Sequence, residues 1–288
     1  MIFDLHCHST VSDGKLTPQQ LLERAVERGV DVLALTDHDT TDGIPLVQKA
    51  IADNKLDIRL INGVEISTCW ENKDIHIVGL HFDREHPAMI DYLTKQSEIR
   101  EARAKEIARR LEKTGLVTDV YDGAKRIAGE GQIGRGHIAR YLIEQGVVKD
   151  NATAFKKYLA RTKVGYVPSP WPDMKSAIDV IQQSGGLAVL AHPMGYKLSG
   201  KWLRKLTVAF KAAGGDGLEA AGCQLAPPHR QHLASLAQEY ELLASAGSDF
   251  HFPSSWIELG RNLYFAKGVT PIWQRWPEYA QPQEASAH

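Results

Sequence analysis

Short apolar runs alternate with amphipathic, more polar segments along the chain, and this alternation predicts strands separated by helices. Val30–Leu35 and Ile58–Ile66 are apolar runs of strand length. Residues 21–26 instead carry apolar side chains at helical spacing, after Thr17, which suits a helix N-cap, and Pro18, which suits the first helical position. Because strand and helix signals alternate, we expect an α/β fold with a parallel sheet closed or curved into a barrel.

One pair of predicted strands breaks the parallel pattern. Asp74–Phe82 follows Ile58–Ile66 closely, and Asn72-Lys73 between them has the composition of a turn. These two strands are therefore predicted to form a hairpin. Later in the chain the alternation resumes, with predicted helices over 175–183, 201–213 and 230–239 and predicted strands over 188–191, 217–220 and 242–246.

A long polar block separates the two halves of this alternating pattern. It starts with a predicted helix over Ile90–Gly115 that is dense in Arg, Lys and Glu, and it contains a glycine-rich connection, Gly129–His137. Further helical pieces are predicted over 124–128, 138–145 and 152–159. We interpret residues 91–170 as a helical cap, inserted into a discontinuous barrel formed by residues 1–90 and 171–288.

At the ends of the predicted strands lie side chains that are good ligands for divalent metals. Leu187–Ala191, for example, runs directly into His192. Since the strand ends of one barrel open on the same face, we expect these side chains to converge on a cluster of metal ions. The nine candidate ligands are His6, His8, Asp13, His38, Glu65, His76, His192, Asp249 and His251. The histidines interpreted as ordinary polar residues are His81, His86, His229 and His232.

Composition and charge narrow the class of protein. Of 288 residues, 43% are hydrophobic and 24% are charged, as in a soluble globular protein. The formal net charge of −1 argues against a surface that coats long polyanions but allows a local basic cleft. The three cysteines suggest neither a disulfide framework nor a thiolate zinc site, and Cys7 is interpreted as a small core residue. With no leader pattern and no membrane-spanning run, we expect a cytoplasmic enzyme whose tail after about Pro277 is disordered.

Several strand-end segments form motifs that are specific in combination. They are Asp4–Ser9, Asp13-Gly14, Thr36–Asp39, Gly63–Ile66, His76, Ala191–Pro193 and Ser248–His251. Together they resemble the polymerase and histidinol phosphatase (PHP) family. The resemblance covers residues 1–90 and about 175–265, and it implies a distorted seven-stranded β/α barrel with an inserted helical cap.

Four further segments carry a narrower resemblance. They are Gly63–Asn72, Arg135–His137, Phe155–Arg161 and Trp256–Gly260. They resemble a subgroup of the family that removes the 3′-phosphate from 3′,5′-nucleoside bisphosphates. Close relatives of that subgroup are 5′-to-3′ exoribonucleases that act on short RNA.

The resemblance implies a site that holds three divalent metal ions, with manganese favoured and zinc or iron as alternatives. His6, His8, Glu65 and Asp249 would hold the first ion. Glu65 would bridge to the second, which His76 and His192 also hold, and Asp13, His38 and His251 would hold the third. Asp13 stands where some family members have a histidine. The residues expected to act in catalysis are Glu65, Asp249, Asp13 and His192.

The charge of such a site independently favours a phosphate substrate. Three divalent ions and three carboxylates leave a net charge of about +3, because imidazoles that bind a metal are neutral. A multiply charged phosphoryl group is the natural ligand of such a cavity. The mechanism implied is in-line attack on phosphorus by a hydroxide that bridges two metals. The proton donor to the leaving oxygen stays open, since Asp13 as a metal ligand would be a poor acid.

The predicted cap supplies arginines, the side chains best shaped to grip a phosphate with two hydrogen bonds. Arg135 is the first choice, because neighbouring glycines let backbone N–H groups approach an anion. Arg100 and Arg103 are weaker candidates, since a helix this rich in charge usually faces solvent. The predicted substrate-binding residues are Arg135, Gly134, His137, Arg100, Arg103 and Arg161, with Arg140 and Lys163 as further candidates.

We therefore expect a metal-dependent phosphomonoesterase that removes the 3′-phosphate from 3′,5′-nucleoside bisphosphates, such as adenosine 3′,5′-bisphosphate. Two alternatives remain, a 5′-3′ exonuclease on short 5′-phosphorylated RNA and a non-catalytic or polymerase-associated module. The full ligand set argues against the non-catalytic alternative. The expected partner is a nucleotide or short oligonucleotide, with no long duplex and no membrane. The sequence leaves open the base preference, the native metal and the oligomeric state.

Overall fold

The computed structural model describes residues 1–168 and 170–279, which contain one seven-stranded sheet. The strands are β1 (Phe3–Asp4), β2 (Val32–Leu35), β3 (Arg59–Trp70), β4 (Lys73–Leu80), β5 (Leu187–Leu190), β6 (Gly217–Ala221) and β7 (Leu243–Ala246). They lie in the sheet in the same order as along the chain. The strands β2 and β6 are buried along their whole length, as expected for a sheet whose outer face is covered by helices.

The strand directions confirm the predicted hairpin. The pairs β1–β2, β2–β3, β5–β6 and β6–β7 are parallel, whereas β4 runs antiparallel to both β3 and β5. The turn between β3 and β4 is Glu71-Asn72, one residue earlier than predicted, with φ values of 49° and 57°. A two-residue turn with positive φ matches the twist of the flanking strands. The strand β3 continues to Trp70, beyond its predicted end at Ile66.

Hydrogen bonds beyond the ends of β1 and β7 bring the two edges of the sheet together. The His8 N–H donates to the carbonyl oxygen of Phe250 at 2.8 Å, and the Asp249 N–H donates to that of His6 at 2.9 Å. The sheet is therefore nearly closed into a barrel, which confirms the predicted fold class. The closure also brings segments from the two ends of the chain side by side, so that His6 and His8 lie next to Asp249.

Nine α-helices lie among the described residues. They are α1 (Pro18–Glu27), α2 (Gly43–Asn54), α3 (Pro87–Glu112), α4 (Val120–Ala128), α5 (Arg135–Glu144), α6 (Asn151–Ala154), α7 (Met174–Gln183), α8 (Gly200–Ala212) and α9 (Pro227–Glu239). The predicted start of α1 is confirmed. The Thr17 hydroxyl accepts from the Gln20 N–H at 3.2 Å, and the Gln20 side chain accepts from the Thr17 N–H at 3.0 Å. This reciprocal capping satisfies two backbone groups at the helix N-terminus.

The helical block between β4 and α7 has an apolar core of its own. Its buried members run from Ala104 to Leu159 and come from the second half of α3, from α4 and α5, and from the segment that follows. The first half of α3 packs elsewhere, since Met89 and Leu93 belong to the core formed with α7 and the strands β3 to β6. The helix α3 therefore begins on the barrel and ends in the helical block.

The glycine-rich connection ends earlier than the sequence indicates. Arg135 is the first residue of α5 and not part of a loop, which corrects our prediction. Gly134 precedes the helix in an extended conformation, and its N–H donates to Nδ1 of His137 at 3.1 Å. His137 is buried and satisfies a backbone group at the start of the helix.

The C-terminal segment packs against the first strand. Pro277–Tyr279 forms a short 3₁₀ turn, and the ring centroid of Tyr279 lies 5.1 Å from that of Phe3. The predicted disorder therefore does not begin at Pro277, and the rest of that tail, residues 280–288, lies outside the described residues. In residues 1–168 and 170–279, every helix is too short or too polar to cross a membrane.

Candidate metal centre and substrate cavity

The nine predicted metal ligands lie close together at one end of the barrel. His6, His8, His38, His192, Asp249 and His251 follow the carboxyl ends of parallel strands, Glu65 and His76 lie within β3 and β4, and Asp13 lies in the loop before α1. A turn in the chain beyond β7 brings Asp249 and His251 together. Both lie beyond β7, and Asp249 has a left-handed backbone, with φ of 52°. The chain turns sharply there, which directs both side chains to the cluster.

Glu65 is at the centre of the cluster and is only 1% exposed. Its Oε2 faces ring nitrogens of His6, His8 and His38 at 3.3, 3.2 and 3.0 Å. Its Oε1 lies 2.9 Å from Nδ1 of His76 and 2.9 Å from Nε2 of His192. A carboxylate whose two oxygens face separate sets of imidazoles is well placed to bridge two metal ions.

Asp13 and Asp249 complete two further groups of donors. Oδ1 of Asp13 lies 3.2 Å from Nε2 of His251 and 3.9 Å from Nε2 of His38. Oδ1 of Asp249 lies 3.6 Å from Nε2 of His6 and 3.5 Å from that of His8. The groups whose donor atoms lie within 4.8 Å of one another are His8, Asp13, His38 and His251; His6, His8 and Asp249; and His38, Glu65 and His76. His8 and His38 each belong to two of these groups, whereas the sequence analysis assigned each of them to one ion.

The chemistry of these donors fits divalent metal ions. Oδ1 of Asp13 and Nδ1 of His38 are buried and close to other donor atoms but make no well-aligned hydrogen bond, and the Nε2 atoms of His6 and His8 lie only 3.0 Å apart. Burial lowers the pKa of His38 to about 3, so its ring is neutral at pH 7, the form that binds a metal. Against the effect of burial, the carboxylates raise the pKa of His6, His8, His192 and His251, so these rings must lose a proton when they bind a metal. Imidazole nitrogens and carboxylates that converge in this way suit manganese, zinc or iron.

Sequence reasoning missed Glu219, which lies in β6 and is 5% exposed. One of its carboxylate oxygens lies 2.5 Å from Nδ1 of His6, and the other accepts the His192 N–H at 2.5 Å. Glu219 thus supports two candidate ligands without being one of the predicted nine. The signal was a single charged residue inside the apolar strand Gly217–Ala221.

Sequence reasoning also gave no role to the two aspartates that flank His38. Asp37 accepts hydrogen bonds from the hydroxyls of Ser9 and Ser12, each at 2.6 Å. Asp39 accepts from Nε of Arg100 at 2.9 Å and is fully buried. These contacts fix the backbone on both sides of His38 and so orient its ring.

A cavity of about 260 Å³ opens next to the donor cluster, between the barrel and the helical block. Four candidate ligands line one side of it, namely Asp13, His38, His76 and His251. Five cationic side chains also line it, together with apolar residues and Asp74; the cations are Lys15, Arg100, Arg103, Arg135 and Arg140. We call this space the cap cavity. Its cations face the candidate metal site, an arrangement that suits an anion extending from that site.

Arg103 is the best-shaped anion donor in the cap cavity. It is 8% exposed, it lies over the Trp171 ring at 5.1 Å, and its Nη2 donates to the carbonyl oxygen of Val167 at 3.0 Å. Its Nε is buried without a partner. Burial, with help from the nearby charge of Arg135, lowers the pKa of Arg103 to about 10, so the group stays charged at pH 7. A buried cation with an unused donor favours an anionic ligand.

The other predicted substrate residues fall into two sets. Arg135 and Gly134 line the cap cavity, and Arg135 also pairs with Asp74 at 3.2 Å. Arg100 lines the cavity too, but its guanidinium is already bound to Asp39. His137 and Arg161 do not line it.

His137 and Arg161 stay outside the cavity for different reasons. Burial lowers the pKa of His137 to about 4, so it serves as a neutral helix cap. Arg161 is exposed to solvent, in the turn that follows the π-helical segment Phe155–Leu159.

The chain matches the family model for the PHP domain over residues 4–166. It is 53% identical over 283 residues to the 5′-3′ exoribonuclease Rnm of Salmonella typhimurium, covering 98% of this chain and 95% of the relative. It is 40% identical over 270 residues to a 3′,5′-nucleoside bisphosphate phosphatase of Chromobacterium violaceum, covering 93% of each chain. A solved structure of an amidohydrolase from Chromobacterium violaceum, with bound sulfate and no metal, is similar with a TM-score of 0.86 at 38% identity, covering 95% of each chain.

The chain therefore belongs to the PHP family. Its relatives hydrolyse phosphate esters, and its buried cluster of histidines and carboxylates suits divalent ions. The protein is a metal-dependent phosphoesterase. The resemblance inferred from the sequence motifs is confirmed.

Proposed function

We propose that the protein hydrolyses the phosphate ester at the 3′ position of a nucleotide that carries a 5′-phosphate, and that short 5′-phosphorylated RNA is its main substrate. The observation that carries this proposal is the cap cavity, where the side chains of Arg103 and Arg135 line one space together with candidate metal ligands. The metal centre and the cations of the cap cavity would form two separate anion sites, which suit a substrate with two phosphates. The 53% identity to an exoribonuclease supports RNA as the main substrate, ahead of the bisphosphate that we expected from the sequence.

The same bond is broken in RNA and in a nucleoside bisphosphate. In both, the oxygen of a water molecule bonds to phosphorus, the P–O3′ bond breaks, and O3′ leaves with the electron pair and takes a proton. A bisphosphate yields a 5′-nucleotide and inorganic phosphate. RNA yields a 5′-nucleotide and a shortened chain with a new 5′-phosphate. One site therefore serves both substrates, and the 40% identity to a bisphosphate phosphatase supports the second activity.

We propose that the nine candidate ligands hold three divalent ions, with manganese favoured and zinc or iron as alternatives. Such ions, when bound, lower the pKa of water and neutralise the phosphoryl oxygens. Glu65 faces both donor sets and would contribute an oxygen ligand to each. Asp13 and Asp249 contribute negative charge at the two sides of the cluster. Glu219 orients His6 and His192. A carboxylate on the far nitrogen of a ligating histidine also strengthens it as a ligand.

We propose that the helical block, residues 91–170, recognises the substrate. It contributes Arg103 and Arg135 to the cap cavity, where a 5′-phosphate can accept hydrogen bonds from both. A cavity of about 260 Å³ is of the size of one nucleotide, which suits a substrate bound by its 5′ end.

Removal of the 5′-phosphate tests this proposal. A short RNA with a 5′-phosphate should be hydrolysed at least about tenfold faster, in kcat/KM, than the same RNA with a 5′-hydroxyl. Arg103→Met should reduce this preference, because it removes the charge while keeping much of the side-chain volume. Arg161→Met is the matched control, since Arg161 is exposed outside the cavity, and it should keep the wild-type preference. Equal rates for the two RNAs in the wild-type protein would contradict the proposal.

A further inference from the structure

A second cavity, of about 360 Å³, also borders the donor cluster. Two candidate ligands line it, His192 and Asp249, and neither of them lines the cap cavity. The two cavities share no lining residue among the described part of the chain. The donor cluster therefore lies between two separate spaces, one beside the helical block and one at the ends of β5, β6 and β7.

We propose that this second cavity binds the nucleoside on the 3′ side of the scissile phosphate. The inference rests on the proposed hydrolysis of RNA and extends it. A phosphodiester carries two ester groups on one phosphorus atom, and its tetrahedral geometry directs them apart. If the first nucleotide occupies the cap cavity, the second must extend from the cluster in another direction. A bisphosphate has no second nucleoside and needs the cap cavity alone.

The walls of the second cavity suit a nucleoside better than another phosphate. Apolar side chains form much of the lining, namely Pro193, Met194, Leu225 and Ile257. The exposed Gln224 adds an amide that can donate to and accept from the edge of a base. Glu219 also lines the cavity, beside His6 and His192, and disfavours an additional anion at that end of it. The cap cavity, by contrast, is lined by several guanidinium groups.

The volume also fits this occupant. A cavity of about 360 Å³ falls in the usual range for small-molecule sites, roughly 300–1,000 Å³, so one nucleoside fits and a folded RNA does not. Lys197 and His229 are exposed and line the same cavity, where they can contact the next phosphate of a longer chain. The site thus accepts one base firmly and leaves the rest of the RNA near the surface.

Gly222 offers a way to narrow this cavity without moving the backbone. A Cβ atom added at Gly222 would lie 3.4 Å from the Gly247 carbonyl oxygen and 3.7 Å from Cδ1 of Leu225, which are ordinary contacts. Gly222→Leu therefore places a side chain in the cavity. The matched control is Gly200→Leu, at the first residue of α8, where an added Cβ meets nothing within 4 Å.

The substrates of the test are three adenosine 5′-phosphates that differ only at the 3′ position. They carry a free phosphate (the bisphosphate), a methyl phosphodiester, or a uridylyl group (pApU). In the wild-type protein, kcat/KM for pApU should exceed that for the methyl diester by about tenfold or more, since an occupied nucleoside site adds binding energy. Gly222→Leu should bring this ratio close to one and retain turnover of the bisphosphate. Gly200→Leu should keep the wild-type ratio.

The possible failures of the test are distinguishable. An unchanged ratio in Gly222→Leu, or equal rates for the two diesters in the wild-type protein, would overturn the second nucleoside site alone. A wild-type protein that hydrolyses only the bisphosphate would overturn the RNA activity and the second site with it.

A second variant covers the case in which Gly222→Leu fails to fold and loses all three activities. Leu225→Ala removes an apolar wall of the cavity and should lower the same ratio. Its control is Leu46→Ala, at a position 53% exposed on α2. An unchanged ratio in Leu225→Ala would again overturn the second nucleoside site.

Discussion

The Glu219 carboxylate holds the ring of His6, with Oε1 of Glu219 2.5 Å from Nδ1 of His6. This contact fixes the ring so that Nε2 faces the donor cluster, and the second oxygen of Glu219 binds the backbone N–H of His192. One carboxylate therefore orients two candidate ligands that are far apart in sequence.

We predict that Glu219→Gln weakens metal binding. An amide can accept only one of the two hydrogen bonds and would leave the other donor unsatisfied, so the apparent affinity for manganese should fall about 10- to 100-fold. The measurement is activity as a function of manganese concentration, with excess manganese restoring most of the lost turnover. Glu106→Gln, in a surface ion pair on α3, is the control. Superimposable manganese curves for Glu219→Gln and wild type would rule out this positioning role.

Removal of metal should destabilise the folded protein. The donor cluster contains buried carboxylates and imidazoles that face one another, so ions that bind only the folded state stabilise it by mass action. At manganese concentrations about 100 times Kd the gain is about 2.7 kcal/mol, which corresponds to roughly 4–5 °C in Tm for a chain of this length. Glu65→Ala should abolish turnover and most of this shift. A thermal melt of each protein with manganese and with chelator measures the effect, and identical melts of the wild type would contradict it.

We predict that Arg135→Ala weakens binding of the substrate phosphate that is not transferred. Arg135 lines the cap cavity but is one-third exposed and shared with Asp74, so its loss should reduce kcat/KM for adenosine 3′,5′-bisphosphate roughly 10- to 100-fold. Arg135→Lys should recover part of this, because an ammonium lacks the two-pronged geometry. Hydrolysis of p-nitrophenyl phosphate, which has a single phosphate, is the control. If both substrates lose activity equally, Arg135 contacts the reacting phosphate or is structural.

We predict that Arg100 matters for stability. Its guanidinium binds the buried carboxylate of Asp39, and Arg100→Ala would leave that charge unpaired at a cost of about 3–5 kcal/mol. Asp39→Asn combined with Arg100→Ala should restore part of the loss. Urea denaturation measures both, with Lys49→Ala as the control, since an exposed pair such as Lys49–Asp53 contributes less than about 1 kcal/mol. A loss as small as that of the control would contradict the pairing.

The candidate ligands could be predicted because their chemistry coincides with strand ends. His38 and His192 stand just beyond short apolar runs, and barrel topology alone brings such positions together. Glu219 was missed because a buried carboxylate inside a strand has no local signal of its partner. The partner of Glu219, His6, lies at the other end of the chain and becomes a neighbour only when the barrel closes.

The contacts of the helical block were less predictable for a similar reason. The sequence indicates arginines at Arg100 and Arg135 but not their counter-charges, and Asp39 and Asp74 are both 61 residues away from the arginine they bind. The start of α5 was misjudged because Gly134 has no side chain that could cap the helix, and the group that accepts its N–H is the ring of His137, three residues on.

The identity of the products of pApU tests the central claim most directly. If the cluster hydrolyses the P–O3′ bond of a nucleotide held by its 5′-phosphate, the products are 5′-AMP and 5′-UMP. With manganese present, chromatography should detect these two nucleotides in equal amounts, and chelator should abolish both. Adenosine 3′,5′-bisphosphate with uridine, or no hydrolysis at all, would contradict the account.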